Sequence, residues 1–523
     1  MRVNHRPLAL WEREGVRVLP LRSKGISMRV VLWDTRESDV SKGFAGGPGM
    51  AQFNGGVGLR GRIMRHFFAR AGRPVALVYA YLAAIFRRLG HAVQYVEDRM
   101  VDGADLYVFC PELITLYWER RAMVQVLARN PGARVLVVGA LTSLLPEAFE
   151  GLGVTLVKGE AEQLLWKLDD VLARPDAVVQ LGLIEDLDRL PLADWSPFGP
   201  RRFRIRCEFS KFPTALVEQS RGCVFKCSYC PCAVPDSGVR YRSPEAVVDE
   251  ICHGVNRWGF RSFKFRDPLF GTDRGQVFRL AQLLGRLGRK IQFSIETRIE
   301  LMRPEILRVL RQAGLTSISV GIETPDVRTL ERYGRTPVAE QMQRELIARC
   351  RELGIRTAAA FMIGFPHDTE ESVRDVLRYA QSLNPTFAHF NILTPYPGTA
   401  LFDRTRERIA DSDFSRRAVC TPAMKYEHLT APELEQLHAG CLRQFYFRWD
   451  YLRENAPLLW PRLGWLGLGR PKRVAGGAEP AHAGPPRPLS GLEILRRTRG
   501  LRQDGPHCRP GASDDRSERL RGE

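Results

Sequence analysis

Between Met28 and Leu172, short apolar runs alternate with longer amphipathic stretches: MRVVLWD, ALVYAYLAAIFRRLG, AVQYVE, DLYVFC, ERRAMVQVLARN, RVLVVG, TLVKG and EAEQLLWKLDDVL. The short runs have the apolar, β-branched character of buried strands. The long ones space apolar residues three and four apart, as one face of a helix requires. Such alternation predicts a mostly parallel sheet with helices on both faces, of the Rossmann-like, flavodoxin-like kind. Ligands of such sheets lie beyond the carboxyl ends of the strands. The loops after Asp34, Cys110, Gly139 and Gly159 are therefore the expected binding edge.

A polar, proline-bearing stretch, EDLDRLPLADWSPFGP, interrupts the pattern before a second series opens near Thr214. TALVEQS, FKFRDPLF, IQFSIE, SISVGIE, TAAAFMIGF and FAHFNILTPY read as six strands, separated by helical stretches such as PEAVVDEICHGVNRWG and PEILRVLRQAG. Six successive strand-helix units predict a partial (β/α)6 barrel of the TIM type, with its chemistry at the carboxyl ends of the strands. The expected layout is an unstructured extension over 1–27, a first α/β domain over 28–175, a linker over 176–213 and the second domain over 214–410. A helical carboxyl-terminal region over 411–470 and a disordered basic tail over 471–523 complete it. A glycine-rich insertion, GFAGGPGMAQFNGGVGLRG, follows the first strand and could close over a ligand or simply be disordered.

Composition changes this picture little. At 523 residues the chain exceeds one hydrophobic core, and 44% hydrophobic with 26% charged residues is ordinary globular usage. No run of about 18 uncharged apolar residues predicts a membrane span. No apolar core of a secretory signal directs export, so a cytoplasmic protein is expected. The net charge of +19 raises nucleic-acid binding, but nearly half of that excess falls in residues 1–27 and 470–523, a pair of solvated ends. No nucleic-acid partner is expected. Eleven cysteines in a chain expected to be cytosolic are better read as metal ligands or nucleophiles than as a disulfide framework.

Those cysteines cluster in RGCVFKCSYCPC, just after the first strand of the second series, with Cys223, Cys227 and Cys230 at Cys-x3-Cys-x2-Cys spacing. Thiolates are the soft ligands that iron-sulfur clusters need, and three of them leave one iron of a [4Fe-4S] cluster open for chemistry. The spacing is not the Cys-x2-Cys-x2-Cys of ferredoxins and lacks the distant second pair of a structural zinc site. Cys232 could supply a fourth thiolate and close the cluster, or be a spare thiol.

With Tyr229 before its last cysteine, the loop resembles that of the radical S-adenosylmethionine (radical SAM) superfamily. The resemblance runs over about residues 214–450. VGIE with Gly321 and Glu323, IGFP with Gly364, and TPYPGT resemble the members that carry a cobalamin-binding domain. The resemblance implies an open iron that chelates S-adenosylmethionine and a 5′-deoxyadenosyl radical that takes a hydrogen atom from a substrate. It also implies a flavodoxin- or ferredoxin-type electron donor. On these matches Glu323 would bind the ribose or amino group of S-adenosylmethionine. Arg298 would pair with its carboxylate, or either would be a structural ion pair. Gly321 and Gly364 would admit the adenosyl group, or form ordinary turns. Asp267 would face the site or cap a turn.

The first domain resembles the cobalamin-binding half of the same group through PVALVYAYLAAIFRRLGH, VVGALTSLLPE and VKGEAEQLL. The matches place Gly139, Thr142, Ser143, Gly159 and Glu160 against cobalamin. None of the ten histidines has an aspartate two positions before it, so no lower axial ligand to cobalt is indicated. His91, at a helix-to-strand turn, reads as structural. Together the resemblances imply a methyltransferase acting on an unactivated carbon of a small-molecule, lipid or sugar-type substrate. A radical cyclase, oxidase or rearrangement enzyme, or a non-catalytic cluster or cobalamin carrier, remains open on sequence.

Overall fold

The computed structural model describes residues 27–35, 75–199, 203, 213–233, 238–409 and 421–455. The 1–27 extension, apart from Ser27, lies outside these residues, as do the glycine-rich insertion and the 471–523 tail.

The first sheet holds β1 (Arg29–Asp34), β2 (Ala92–Glu97), β3 (Leu106–Phe109), β4 (Arg134–Val137), β5 (Thr155–Gly159) and β6 (Val178–Gly182). All its pairs are parallel, in the order β2-β1-β3-β4-β5-β6. The first five follow the flavodoxin-like order, whose ligand crevice lies where the order reverses, at β1 and β3. Helices Leu77–Arg88, Leu116–Arg129 and Leu164–Leu172 supply the crossovers. Residues 178–182, expected in the linker, are instead the sheet's sixth strand. Val179 alone of VVQLG is buried, because an edge strand covers one neighbour only, and so the segment has no buried-strand signature.

The second sheet is also wholly parallel, in the order β14-β13-β12-β11-β10-β7. Its members are β7 (Thr214–Val217), β10 (Ser262–Phe265), β11 (Gln292–Thr297), β12 (Leu315–Glu323), β13 (Arg356–Ile363) and β14 (Phe387–Ile392). Each strand lies beside its predecessor, the sequential winding of successive strand-helix units. A two-stranded antiparallel ribbon of β8 (Ser220–Arg221) and β9 (Arg240–Tyr241) is set between β7 and the helix Pro244–Trp258. The helix Ala431–Tyr446 packs against β14 through Tyr446, whose hydroxyl lies 3.1 Å from the amide and 3.0 Å from the carbonyl of Ala388. No described helix is long and apolar enough to cross a membrane.

Two contacts join the sheets at their carboxyl ends. Tyr396, in the loop after β14, is buried in the apolar cluster that holds Trp33, Phe109, Leu113 and Leu141 of the first sheet's ligand edge. Arg221, at the end of β8, pairs with Glu160 and Glu162, just after β5. The carboxyl edges of the two sheets therefore face each other.

Candidate active site

The cysteine loop leaves β8 through Gly222, whose φ of +93° only glycine adopts readily. It is held on the segment that follows β12. The amide and hydroxyl of Ser228 both donate to the Tyr333 carbonyl, at 2.9 and 3.0 Å, and the Ser228 carbonyl accepts from Leu401 N at 2.8 Å. Gly334 has a φ of +70°, and a β-carbon there would lie 3.2 Å from the Lys226 carbonyl. The amide of Cys230 donates to the Cys227 carbonyl at 3.1 Å, closing a turn between the last two cysteines.

The three thiols share one electrostatic neighbourhood. Burial raises the pKa of Cys223, and the charges of Cys230 and Cys227 add to it. Cys230 is raised by its hydrogen bond with Cys232 and by burial, while the same bond lowers Cys232. Among the described residues no three Cys, His, Asp or Glu side chains stand arranged as a metal site. Holding iron would require these thiols to lose their protons.

Glu323 ends β12 with a φ of +71°, a strained position for a side chain this size and a feature concentrated at functional sites. Its carboxylate lies 3.6 Å from Arg335, which also donates to the Gly321 carbonyl and to Cys227. Burial raises the pKa of Glu323 against the opposing charges of Arg335 and Arg298. The Tyr229 hydroxyl lies beside the Glu323 carboxylate, and burial together with the Glu323 charge raises its pKa. Arg298 is 5% exposed, stacks on Phe225 at 3.8 Å and donates from Nη2 to the Thr336 carbonyl at 3.0 Å. Its Nη1 is buried without a partner. Its Nε pairs with Glu300, and the remaining arm stands near Cys223 and the Glu323 carboxylate, an arrangement suited to a ligand carrying both an amino group and a carboxylate.

Arg335 escaped the sequence reading. Gly321 and Gly364, expected to admit a ligand, sit tightly among their neighbours. A β-carbon at Gly321 would meet Glu323 Oε1 at 2.5 Å, and one at Gly364 would meet Leu434 at 2.8 Å. Asp267 accepts from Gln219 N and from the Ser220 hydroxyl, so it holds the strand leading into the cysteine loop, and burial pushes its pKa up to about 6.

Near Cys232, Glu296 accepts from Lys264 at 3.0 Å and Arg266 at 2.9 Å. Burial raises its pKa, but the two cations outweigh burial and hold it at about 2, against 4.5 unfolded. A carboxylate depressed in this way stabilises the fold above its unfolded pKa and loses that contribution as pH falls. Glu296→Gln is expected to lower the unfolding free energy by about 2–3 kcal/mol at neutral pH and by progressively less from about pH 5 toward 2. Urea midpoints at pH 7 and pH 4 would show the narrowing gap.

On the first sheet, the Thr142 hydroxyl lies 2.8 and 2.7 Å from the carbonyls of Gly139 and Val157, and only Ser143 of the pair is exposed. A β-carbon at Gly139 would press on Cys110 Sγ at 2.8 Å, and one at Gly159 on the Gly182 carbonyl at 2.4 Å. Glu160 is held by Arg221, Arg240 and the Ile184 amide. Both glycines are thus closely packed by neighbouring chain, and the side chains of Thr142 and Glu160 are already engaged. His91 accepts from Met28 N at 3.3 Å, a structural contact.

The model of the radical SAM superfamily matches residues 217–380, the span that carries the three cysteines, Arg298, Glu323 and Arg335. Those residues are a radical SAM domain. The chain is 24% identical over 414 residues to an uncharacterised methyltransferase of Pyrococcus horikoshii, covering 72% of this chain and 88% of that one. It is 28% identical over 335 residues to the anaerobic magnesium-protoporphyrin IX monomethyl ester cyclase of Cereibacter sphaeroides, covering 63% of this chain but only 52% of that one. Among solved structures, it resembles the radical SAM methyltransferase TsrM of Kitasatospora setae, which has cobalamin and a [4Fe-4S] cluster bound. That match has a TM-score of 0.55 and 16% identity, over 81% of this chain and 82% of that one. The radical SAM domain and the sheet before it thus share their fold with that enzyme.

Proposed function

We propose that the chain is a cobalamin-dependent radical SAM methyltransferase acting on an unactivated carbon of a small-molecule biosynthetic intermediate. The observation that carries this reading is the meeting of two carboxyl edges, one bearing the cysteine loop and the other the flavodoxin-like crevice. When bound, the cluster and corrinoid supply one-electron cleavage of S-adenosylmethionine and carriage of a methyl group. Cys223, Cys227 and Cys230 would hold the cluster. The open arm of Arg298 would take the methionyl carboxylate, and Glu323 the amino group, with Arg335 fixing Glu323 in place. The backbone at Gly139 and Gly159, the exposed Ser143 and the crevice at β1 and β3 would receive the corrinoid. The second sheet would close as a partial barrel around the reacting groups, with electrons from a flavodoxin- or ferredoxin-type donor in the cytoplasm.

A radical cyclase is the second reading, favoured by the identity to the magnesium-protoporphyrin ester cyclase. Anaerobic turnover of the reconstituted chain with reductant and candidate substrates separates the two. A methyltransferase yields S-adenosylhomocysteine and 5′-deoxyadenosine together. 5′-Deoxyadenosine alone would sink the methyl-transfer reading.

A further inference from the structure

Cys223 follows Arg221 by two residues, and Arg221 is paired with three carboxylates. Its guanidinium meets Glu162 at 2.8 Å, Glu160 at 3.2 Å and Glu218 at 2.5 Å. Glu160 is also paired with Arg240 at 2.8 Å and accepts from Ile184 N at 2.6 Å. Side-chain exposure across Glu160, Glu162, Glu218, Arg221 and Arg240 is between 6% and 15%.

Glu160 and Glu162 belong to the first sheet, while Glu218, Arg221 and Arg240 belong to the domain with the cysteines. The backbone explains the meeting. Gly159 takes a φ of +103° with the Gly182 backbone packed against it, so the chain turns sharply at the end of β5, and two glutamates around the short turn Ala161–Gln163 reach the same guanidinium. Three carboxylates face two guanidiniums here, and burial raises the pKa of Glu162, with the Glu218 charge adding to it. Such an arrangement costs desolvation on every member, so as a source of stability alone it is a poor choice compared with an apolar contact. What it supplies is geometry, because a guanidinium forked between carboxylates has one orientation.

We propose that Arg221 is a positioning residue. It ties the start of the cysteine loop to the ligand edge of the first sheet, so that the placement of Cys223 depends on Glu160 and Glu162, about sixty residues away in sequence. This rests on the reading of Cys223 as a cluster ligand only for its consequence in the loaded enzyme; the tether itself is testable without iron.

Hydrogen exchange on the full chain before reconstitution tests the tether. In Glu162→Gln and Arg221→Lys the amides of Ser228 and Cys230 are expected to exchange about tenfold faster or more, the scale of losing one charge-assisted hydrogen bond. Amides of the helix Glu370–Leu383 should keep their parent rates. After reconstitution, both variants should release iron to a ferrous chelator faster than the parent. Two comparison variants set the limits: Arg378→Ala, at an exposed ion pair, and Leu168→Ala, buried in a first-domain helix. Loop exchange at the parent rate in Glu162→Gln and Arg221→Lys would overturn the proposal, as would equal acceleration in Leu168→Ala. A parent that takes up no cluster would instead refute the cluster reading, while the exchange rates still decide the tether.

Discussion

Replacing Cys227 with Ala is expected to abolish cluster binding and bring S-adenosylmethionine cleavage below about a thousandth of the parent rate, because loss of a cofactor removes the chemistry itself rather than one stabilising contact. The fold should survive. Cys227 is 7% exposed and lies against Arg335, while the loop keeps its backbone bonds to Tyr333 and Leu401, none of which needs the thiol. Iron content, the electron paramagnetic resonance of the reduced protein and 5′-deoxyadenosine yield would report the loss, with circular dichroism unchanged. Cys232→Ala is the informative partner. Its thiol is hydrogen-bonded to Cys230, so proximity alone makes it a rival fourth ligand. With a three-thiolate cluster, Cys232→Ala keeps its iron and its turnover. Loss of iron on that substitution, with retention on Cys227→Ala, would reverse the assignment.

The sequence spoke clearly where structure is local. Buried strands such as QFSIET and RTAAAFMI announce themselves because both faces are covered and the apolar run is nearly unbroken. The cysteine loop was legible for a similar reason, since eight consecutive residues carry its whole pattern. The edge strand β6 was not, because one buried residue leaves no period to detect. Arg221 and Arg335 were illegible for a different reason. Each acts through carboxylates or backbone brought near only by the fold, and nothing local sets them apart among 78 lysines and arginines. RYGR held one faint signal, a glycine between an aromatic residue and an arginine, which the structure uses to bring Lys226 close to the backbone. Thr142 and Glu160 erred in the opposite direction. Their polar groups suggested ligand contacts, but the folded chain satisfies them internally, as buried hydroxyls and carboxylates require.

The second large effect concerns the hairpin that carries the cysteine loop. Arg242, 1% exposed, follows β9; its amide donates to the Gln219 carbonyl at 2.7 Å, and its guanidinium pairs with Glu250 at 2.9 Å and with the Tyr81 hydroxyl at 3.1 Å. Tyr81 belongs to the first domain's helix Leu77–Arg88, so this buried trio is a further join between the domains, adjoining the Arg221 cluster through Glu218. Arg242→Ala strands Glu250 in the interior and is expected to lower the unfolding free energy by about 3–5 kcal/mol at neutral pH. Burial already raises the pKa of Glu250, and loss of the guanidinium raises it further. A carboxyl raised in this way is stabilising in its protonated form below its unfolded value of 4.5, and that contribution is lost as pH rises through the folded value. The deficit of Arg242→Ala should therefore be largest near pH 7.5 and shrink toward pH 5, as denaturant midpoints at the two values would show. Arg242→Met combined with Glu250→Leu removes both charges and should recover most of the loss. A deficit that stays constant with pH and persists in the double variant would mean that the pair serves through packing alone.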